Sequence, residues 1–139
     1  MAKLKECFSQ NEFDQILLSL GANTIWSADD TCSAGTKNIL AALKETTLKP
    51  RIIMCGSMGV NYEEPGVNWF VKWMLKYPLA DKVIQERLLN ESGFPVVIVR
   101  PGRLMDLPGR GLSKVAAVDY GAVPFGQIAR VDVASFMIA

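Results

Sequence analysis

Residues 81–104 read DKVIQERLLNESGFPVVIVRPGRL, and this stretch decides the fold class. Its first half has apolar residues at the spacing of an amphipathic helix. The predicted apolar side of that helix consists of Val83, Ile84, Leu88 and Leu89. Gly93 stands where a helix of this kind ends, and the β-branched run at 96–99 follows it. The stretch therefore predicts a helix, a glycine turn and a buried strand that ends in Arg-Pro-Gly.

Two similar segments precede this stretch. The run QILLSL at 15–20 is apolar and is closed by Gly21, which predicts a buried strand. Residues 33–45 have helical spacing, and the sequence offers Asp29, Asp30, Thr31 and Ser33 as N-caps. The run RIIMC at 51–55 predicts a second strand, which ends in the turn at 56–59.

The predicted elements alternate from strand to helix over three strands and two helices. This is the order of parallel crossover units. Strands that are apolar throughout predict a parallel sheet covered on both faces. We expect one α/β domain over residues 1–139, with a partial Rossmann-like parallel sheet whose N-terminal strands are missing. Residues 115–123 suggest a small hairpin, and the closing IARVDVASFMIA predicts a further helix.

Composition excludes several partners and environments. Fifteen basic and 14 acidic residues give a net charge of +1, so neither nucleic acid nor an anionic membrane is an expected partner. No segment approaches the roughly 18 consecutive apolar residues of a spanning helix. Three cysteines without a CxxC pair indicate reduced, cytoplasmic surroundings. The expected protein is cytoplasmic.

The chain contains no histidine, and this limits its chemistry. Ser-His-Asp and Cys-His nucleophiles are excluded, and so are metal sites with imidazole ligands. We expect no metal. Serine, lysine, tyrosine and carboxylates remain, and a Ser/Lys pair acting on a nicotinamide cofactor is compatible with that set.

Aromatic residues gather in the irregular segment 60–79. Trp69, Phe70 and Trp73 fit one face of a short helix. We favour core or subunit contact for them over a platform for substrate. If the chain has a substrate pocket, this segment and residues 107–127 are expected to close it.

These segments together resemble the later part of an atypical short-chain dehydrogenase/reductase, of the NAD(P)H-binding, NmrA-like branch. The resemblance covers roughly residues 14–138. The matching pieces are Leu20-Gly21 after a strand, the helix SAGTKNILAALKE, the strand and turn IIMCGSMGV, the block at 81–106 and the closing IARVDVASFMI. The most specific motifs are the KxxxE…SG…RPG block and the R-x-DVA segment.

The resemblance implies which residues form the site. Ser57 stands where the active-site serine is often found, and Lys82 where a lysine holds the nicotinamide ribose. The implied catalytic residues are therefore Ser57 and Lys82. The implied cofactor-binding residues are Leu20, Gly21, Ser57, Lys82, Pro101, Gly102 and Arg103. The implied cofactor is NADP or NAD, and the implied activity is hydride transfer to a small-molecule substrate with a carbonyl or quinone-like group.

Judged from the residues alone, each of these positions could instead have a purely structural role. Ser57 suits a turn that bonds its own backbone, and Lys82 suits a solvated helix surface. Glycines at strand ends relieve local strain as well as admitting a ligand. For Arg130 and Asp132 we expect a structural ion pair or helix cap, and for Cys55 a buried, inert thiol.

The sequence also departs from the family pattern. It has no GxGxxG run, which normally seats the pyrophosphate. The tyrosine of a YxxxK pair would fall at Pro78, and Tyr77 is one residue away. Whether the chain is an enzyme therefore stays open. The alternative is a non-catalytic remnant, or an interaction subunit that completes its sheet with a second copy or another partner chain, because QILLSLG would form an exposed apolar edge.

Overall fold

The computed structural model describes residues 2–60, 69–111 and 126–139, in which helices and strands alternate. In chain order the elements are α1 (Ala2–Gln10), β1 (Gln15–Leu18), α2 (Thr31–Lys44), β2 (Arg51–Cys55), α3 (Trp69–Met74), α4 (Lys76–Asn90), β3 (Val96–Val99), β4 (Arg103–Met105), β5 (Gln127–Ala129) and α5 (Arg130–Ile138). This is an α/β fold, as the sequence predicts. No helix in the described ranges has the length and apolarity needed to cross a membrane.

The main sheet has three parallel strands in the order β1-β2-β3. Their register aligns Ile16, Ile52 and Val96 in one row and Leu17, Ile53 and Val97 in the next. Because side chains alternate between the faces of a strand, these two rows lie on opposite faces of the sheet. All three carboxyl ends meet at one edge, which we call the carboxyl edge.

One face of the sheet carries most of the core. Ile52 and Met54 of β2 are fully buried there. They belong to a buried cluster that draws on the helices and strands around them: Phe8, Leu18, Leu40, Ala42, Leu43, Ile52, Met54, Leu89 and Phe94. α1, α2 and α4 all contribute to this cluster, so they hold the helical layer against the sheet.

The opposite face is covered only in part. Ile53 is buried against Val133 and Met137 of α5. Its neighbours in the same row are exposed to solvent: Leu17 is 46% exposed and Val97 is 43% exposed. Within the described residues, the expectation of a sheet covered on both faces is therefore correct for β2, wrong for β1 at Leu17 and only partly correct for β3, where Val97 is exposed but Val99 packs against the α5 cluster. α5 is a single helix of nine residues and packs on β2 and the end of β3.

A second sheet of two short parallel strands, β4 and β5, begins just after the Arg-Pro-Gly turn. The sequence analysis predicted the helix that follows, α5, but not this pairing. The pairing joins segments more than 20 residues apart, which no local pattern indicates. The predicted hairpin at 115–123 lies outside the described residues.

α4 differs most from its prediction. It begins at Lys76, five residues before the predicted start at Asp81, and its buried residues are mostly polar. Val83 is 41% exposed and Ile84 38%, so half of the predicted apolar side faces outward. Helical spacing shows that two faces differ but does not say which one points inward. Gly93, with a φ of +79°, occupies the predicted turn after the helix.

The aromatic helix is present but is not core. α3 spans Trp69–Met74, and the rings of Phe70 and Trp73 stack with centroids 6.0 Å apart. Trp69 is 76% exposed, and Phe70 and Trp73 are also exposed. The expectation of core burial is wrong here, while a role in subunit contact stays a prediction. α1, for which the sequence analysis made no prediction, packs through Phe8 and Leu4 on the main core.

Candidate active site at the carboxyl edge

The turns after the three main strands come together at the carboxyl edge. Leu20 and Gly21 follow β1, Ser57 follows β2, and Pro101 and Gly102 follow β3. The Met58 amide donates a hydrogen bond to the Pro101 carbonyl over 3.2 Å, which ties the last two turns together. In open parallel sheets the ligand crevice lies outside the carboxyl ends of the strands. The structure thus brings the predicted site residues to the place where this fold binds ligands.

Lys82 links two of these turns from α4. Its ammonium donates hydrogen bonds to the Leu20 carbonyl over 2.7 Å and to the Cys55 carbonyl over 3.0 Å. A third bond runs to Oε1 of Gln85 over 3.0 Å. The residue is 9% exposed, so the reading of Lys82 as a solvated surface lysine is wrong. All three protons of the ammonium are directed at protein acceptors.

Asp81, the neighbour of Lys82, caps α2. Its carboxylate accepts hydrogen bonds from the amides of Cys32 over 2.8 Å and Ser33 over 3.1 Å. Asp30 occupies the N-cap position but makes no side-chain cap bond. The Thr31 amide donates to Asp29 over 2.7 Å, which completes the cap. These carboxylates occupy the α2 N-terminus, so its amides are not offered to a phosphate group.

Glu86, one turn after Lys82, binds the residue that follows β3. Both nitrogens Nε and Nη2 of Arg100 donate to the Glu86 carboxylate, the first over 3.0 Å. Gly56, at the end of β2, packs against this pair: a Cβ there would lie 3.1 Å from Glu86 Oε1. Because Gly56 has no side chain, the part-buried ion pair has room to lie beside the sheet.

Ser57 lies in the turn after β2. Its hydroxyl donates to the Met58 carbonyl over 3.0 Å, and the side chain is half-buried. This bond fits the structural alternative of a turn serine. The oxygen lone pairs still lie at the carboxyl edge, but the proton must leave Met58 before it can be donated to a substrate.

The two glycines of the predicted site have different surroundings. At Gly21 an added Cβ would meet nothing within 4 Å, so space is open beside the end of β1. At Gly102 an added Cβ would lie 2.2 Å from the Gly126 carbonyl oxygen. Gly102 is thus needed for the close approach of the chain's own backbone, whereas the resemblance implied that it binds the cofactor. Arg103 extends this contact, because its amide donates to the same carbonyl over 2.8 Å.

At the position where the family pattern has its tyrosine, Pro78 lies within the first turn of α4. Tyr77 precedes it and is half-buried, and the ammonium of Lys76 lies 4.6 Å from its ring centroid. A proline side chain has no proton to donate, so position 78 cannot act as a proton donor.

Two cysteines lie against the same edge. Burial raises the pKa of both the Cys32 and Cys55 thiols, and the nearby charge of Lys82 opposes that rise. The Cys32 thiol also donates to the Leu20 carbonyl over 3.5 Å. Both are held as neutral thiols at pH 7. Cys55 is only half-buried, so the expectation of a buried thiol is wrong, and its inert role stays a prediction.

The arrangement gathers backbone turns and a serine hydroxyl at one edge of the sheet. Open space at Gly21 and the turns after parallel strands suit the nicotinamide end of a dinucleotide. No glycine-rich cradle for a pyrophosphate exists in the sequence. In the ranges that the structure describes, no cluster of histidine, cysteine or acidic residues has the geometry to hold a metal ion.

Sequence analysis missed three residues that build this edge: Asp81, Gln85 and Glu86. Together with Lys82 they recur at helical spacing, so a polar stripe was visible in the sequence. A polar stripe ordinarily marks the solvent side of a helix, which is why it was not taken as buried. Each residue is at most 9% exposed in the structure.

Comparison with protein families gives one match. The sequence profile of a family described as NAD(P)H-binding matches residues 3–139. A comparison with curated proteins found no match.

Several solved structures share the fold. ChuY, described as an anaerobillin reductase from Escherichia coli O157:H7, has a TM-score of 0.79 at 19% identity, over 99% of this chain and 62% of its own. A putative NAD-dependent epimerase/dehydratase from Bacillus halodurans has a TM-score of 0.69 at 21% identity, over 94% of this chain and 57% of its own. A short-chain dehydrogenase/reductase from Veillonella parvula DSM 2008 in complex with NADP has a TM-score of 0.63 at 17% identity, over 99% of this chain and 58% of its own.

At these identities the likeness concerns the fold. The chain spans about three fifths of the length of these neighbours. The expected resemblance to NAD(P)H-binding proteins with a Rossmann-like fold is confirmed.

Proposed function

The chain belongs to the NAD(P)H-binding family, and from that premise we propose that its carboxyl edge binds the nicotinamide end of NADPH or NADH. The proposed activity of the lineage is hydride transfer to a small carbonyl or quinone-like acceptor, as in an atypical, NmrA-like short-chain dehydrogenase/reductase. The observation that carries the proposal is the open space at Gly21 beside three converging strand ends.

The residues present have distinct parts in this proposal. In this proposal Leu20 and Gly21 line one side of the site, and the turn after β3, in which Pro101 is buried and Gly102 is half-buried, bounds the other. When bound, the cofactor supplies the hydride. Ser57 hydrogen-bonds the acceptor once its hydroxyl turns away from the Met58 carbonyl.

The choice between the two cofactors is a matter for experiment. One structural neighbour was solved with NADP, so NADPH is the first cofactor to test, with NADH beside it. Because the sequence has no glycine-rich loop of the GxGxxG type to seat the pyrophosphate, we expect weak binding by this chain. A dissociation constant of about 100 μM corresponds to roughly 5.5 kcal/mol of binding free energy, which a half-site can supply.

The test is a fluorescence titration of the monodisperse chain with NADPH, NADH and reduced nicotinamide mononucleotide. Gly21→Leu fills the open space, and we expect it to weaken binding by at least about tenfold, or 1.4 kcal/mol. Ala41→Leu is the control, since Ala41 is exposed on the C-terminal half of α2. Gly102 is unsuitable for this test because a side chain there meets the Gly126 carbonyl.

Two results would contradict the proposal. One is the lack of any saturable signal from a chain that circular dichroism shows to be folded. The other is equal affinity of Gly21→Leu and the unchanged chain. If saturable binding is found, a screen of small carbonyl and quinone acceptors follows.

A second candidate function is supported by the exposed sheet. β1 and β3 are the two edge strands of the main sheet in the described residues, and Leu17 on β1 and Val97 on β3 are both exposed. An open apolar edge is a template for strand addition. The alternative is thus a non-catalytic subunit that completes its sheet with a second copy of the chain.

Sedimentation and native mass spectrometry test this alternative. The expected result is a discrete dimer that Leu17→Lys converts to monomer, because a lysine on an edge opposes strand pairing. Ile138→Lys changes an exposed apolar residue at the end of α5 and is the control. A monodisperse monomer before any substitution would exclude self-pairing.

A further inference from the structure

The buried face of α4 is polar. Asp81, Lys82, Gln85 and Glu86 are each at most 9% exposed. Their spacing places them on one side of the helix, the side that meets α2 and the ends of the strands. Every buried side-chain nitrogen and oxygen in the described residues has a hydrogen-bond partner. This face is therefore a completed network and not a set of free groups.

Each of these side chains reaches a different part of the carboxyl edge. Asp81 caps α2, and Gln85 Nε2 donates to the Thr36 hydroxyl of α2 over 2.9 Å. Glu86 pairs with Arg100 after β3. Lys82 alone spans two strand ends, through the carbonyls of Leu20 and Cys55. The first acceptor lies 62 residues away along the chain and the second 27.

We propose that Lys82 is a positioning residue, which clamps the turn after β1 to the end of β2, and that it is not a ligand of the nicotinamide ribose. An ammonium has three protons, and all three are donated to protein acceptors at 2.7 to 3.0 Å. To bind a ribose hydroxyl, Lys82 would have to leave a carbonyl or amide oxygen at the edge of the core without this donor.

The clamp acts on the cofactor site through the backbone. Leu20 directly precedes Gly21, so a bond that fixes the Leu20 carbonyl also fixes the glycine that leaves space for the ligand. Gln85 supports the clamp from behind, because it accepts from Lys82 and donates to Thr36. This part of the inference depends on the proposed function, since it assumes that the cofactor binds at Gly21.

The NADPH affinities of Lys82 and Gln85 variants distinguish a positioning role of Lys82 from its direct contact with the cofactor. We expect Lys82→Met to weaken NADPH binding by about tenfold or more, because small displacements of a binding group are costly. Gln85→Met removes an acceptor that the cofactor does not touch, and it should weaken binding in the same direction. The double variant should bind no more weakly than Lys82→Met alone. Lys76→Met is the control, on an exposed lysine of the same helix.

Direct contact between Lys82 and the ribose predicts a different set of NADPH affinities for these variants. If Lys82 holds the ribose, Gln85→Met frees a proton for it, and binding stays the same or tightens. That outcome would overturn the proposal. Lys82→Arg, which keeps a cation and several donors, should recover part of the affinity, and its folding is checked by thermal unfolding alongside Lys82→Met.

A second measurement tests the clamp in the chain without cofactor, and then with it. In a spectrum of the ¹⁵N-labelled lysine ammonium groups, Lys82 should give a resonance in slow exchange with water, assigned by its absence from Lys82→Met. It should persist at saturating NADPH. Fast exchange in the free chain, or loss of protection on NADPH addition, would overturn the clamp. A protected resonance in a chain that binds no NADPH would leave the clamp standing and exclude the proposed function.

Discussion

Asp81 shows how a single residue joins two helices. The first turn of α2 needs acceptors for its free amides, and Asp81 supplies them from α4, with Cys32 and Ser33 as donors. The negative charge also lies at the positive end of the α2 dipole. Asp30, which is in the local cap position, makes no such bond. The bond thus fixes α2 against α4 as well as starting the helix.

The prediction at this scale concerns the cap. Asp81→Ala leaves two buried amides without an acceptor, and we expect a loss of about 2–4 kcal/mol in the free energy of unfolding. Asp30→Ala is the matched control and should cost less than about 0.5 kcal/mol. Urea unfolding measures both. Equal losses would mean that the local residue carries the cap.

At the scale of the element, α4 is a helix with a polar inside. Its buried residues include Asp81, Lys82 and Gln85, and Leu79 and Leu89 add the apolar contacts at its two ends. The polar groups face strand ends and a helix terminus, which present backbone acceptors and donors that need partners. An apolar face would leave those backbone groups unsatisfied. The outward position of Val83 and Ile84 follows from the same geometry.

Substitutions on the two sides of α4 should therefore differ. Val83→Gln and Ile84→Gln should each change the free energy of unfolding by less than about 1 kcal/mol, because these side chains are already partly in water. Leu89→Ala should cost about 2–5 kcal/mol, since it opens a cavity beside the main core. Thermal and urea unfolding report the difference. A loss at Ile84 as large as at Leu89 would show that another chain covers this side.

At the scale of the whole molecule, the sheet has a well-covered face and a sparsely covered one. In the described residues, α1, α2 and α4 cover the first, while α5 covers the second only at β2 and the end of β3. Cys32 and Cys55 lie at the covered carboxyl edge, whereas Cys7 is exposed on α1. Stability and the ionisation of the two edge thiols are therefore linked, because unfolding exposes both to water.

Burial raises the folded-state pKa of Cys32 and Cys55, so the folded chain keeps these protons to higher pH than the unfolded chain. Their contribution to stability is complete below the unfolded thiol pKa, about 8.5, and is lost as pH rises through the folded pKa. We expect the free energy of unfolding to fall as the pH rises above the unfolded thiol pKa. The double variant Cys32→Ala, Cys55→Ala should flatten this fall, measured relative to its own value at pH 7.

Cys7→Ala is the control for this prediction and should leave the pH dependence in place. Urea unfolding between pH 7 and pH 10 gives the curves. Iodoacetamide labelling adds a second check, because Cys7 should react in the folded chain well before the two edge thiols do. An unchanged slope in the double variant would show that other groups cause the loss.

Local patterns were sufficient for the class of the fold and for several elements. The run RIIMC is β2 at Arg51–Cys55, VVIV is β3 at Val96–Val99, and Gly93 has the positive φ that its turn requires. These depend on β-branched residues and on backbone freedom, both of which are properties of a few neighbouring residues. Short motifs also named candidate site positions, most of which lie at one edge, and their roles stay predictions.

The sequence by itself determined the α/β class, the strands and the residues that gather at their ends, because propensity and periodicity act over a few positions. Only the tertiary structure decided which side of α4 is buried, that Asp81 and not Asp30 caps α2, and that the Lys82 protons go to Leu20, Cys55 and Gln85. The physical reason is that a buried polar group takes whichever partner packing brings within hydrogen-bond distance. That partner is set by contacts between segments far apart in the chain.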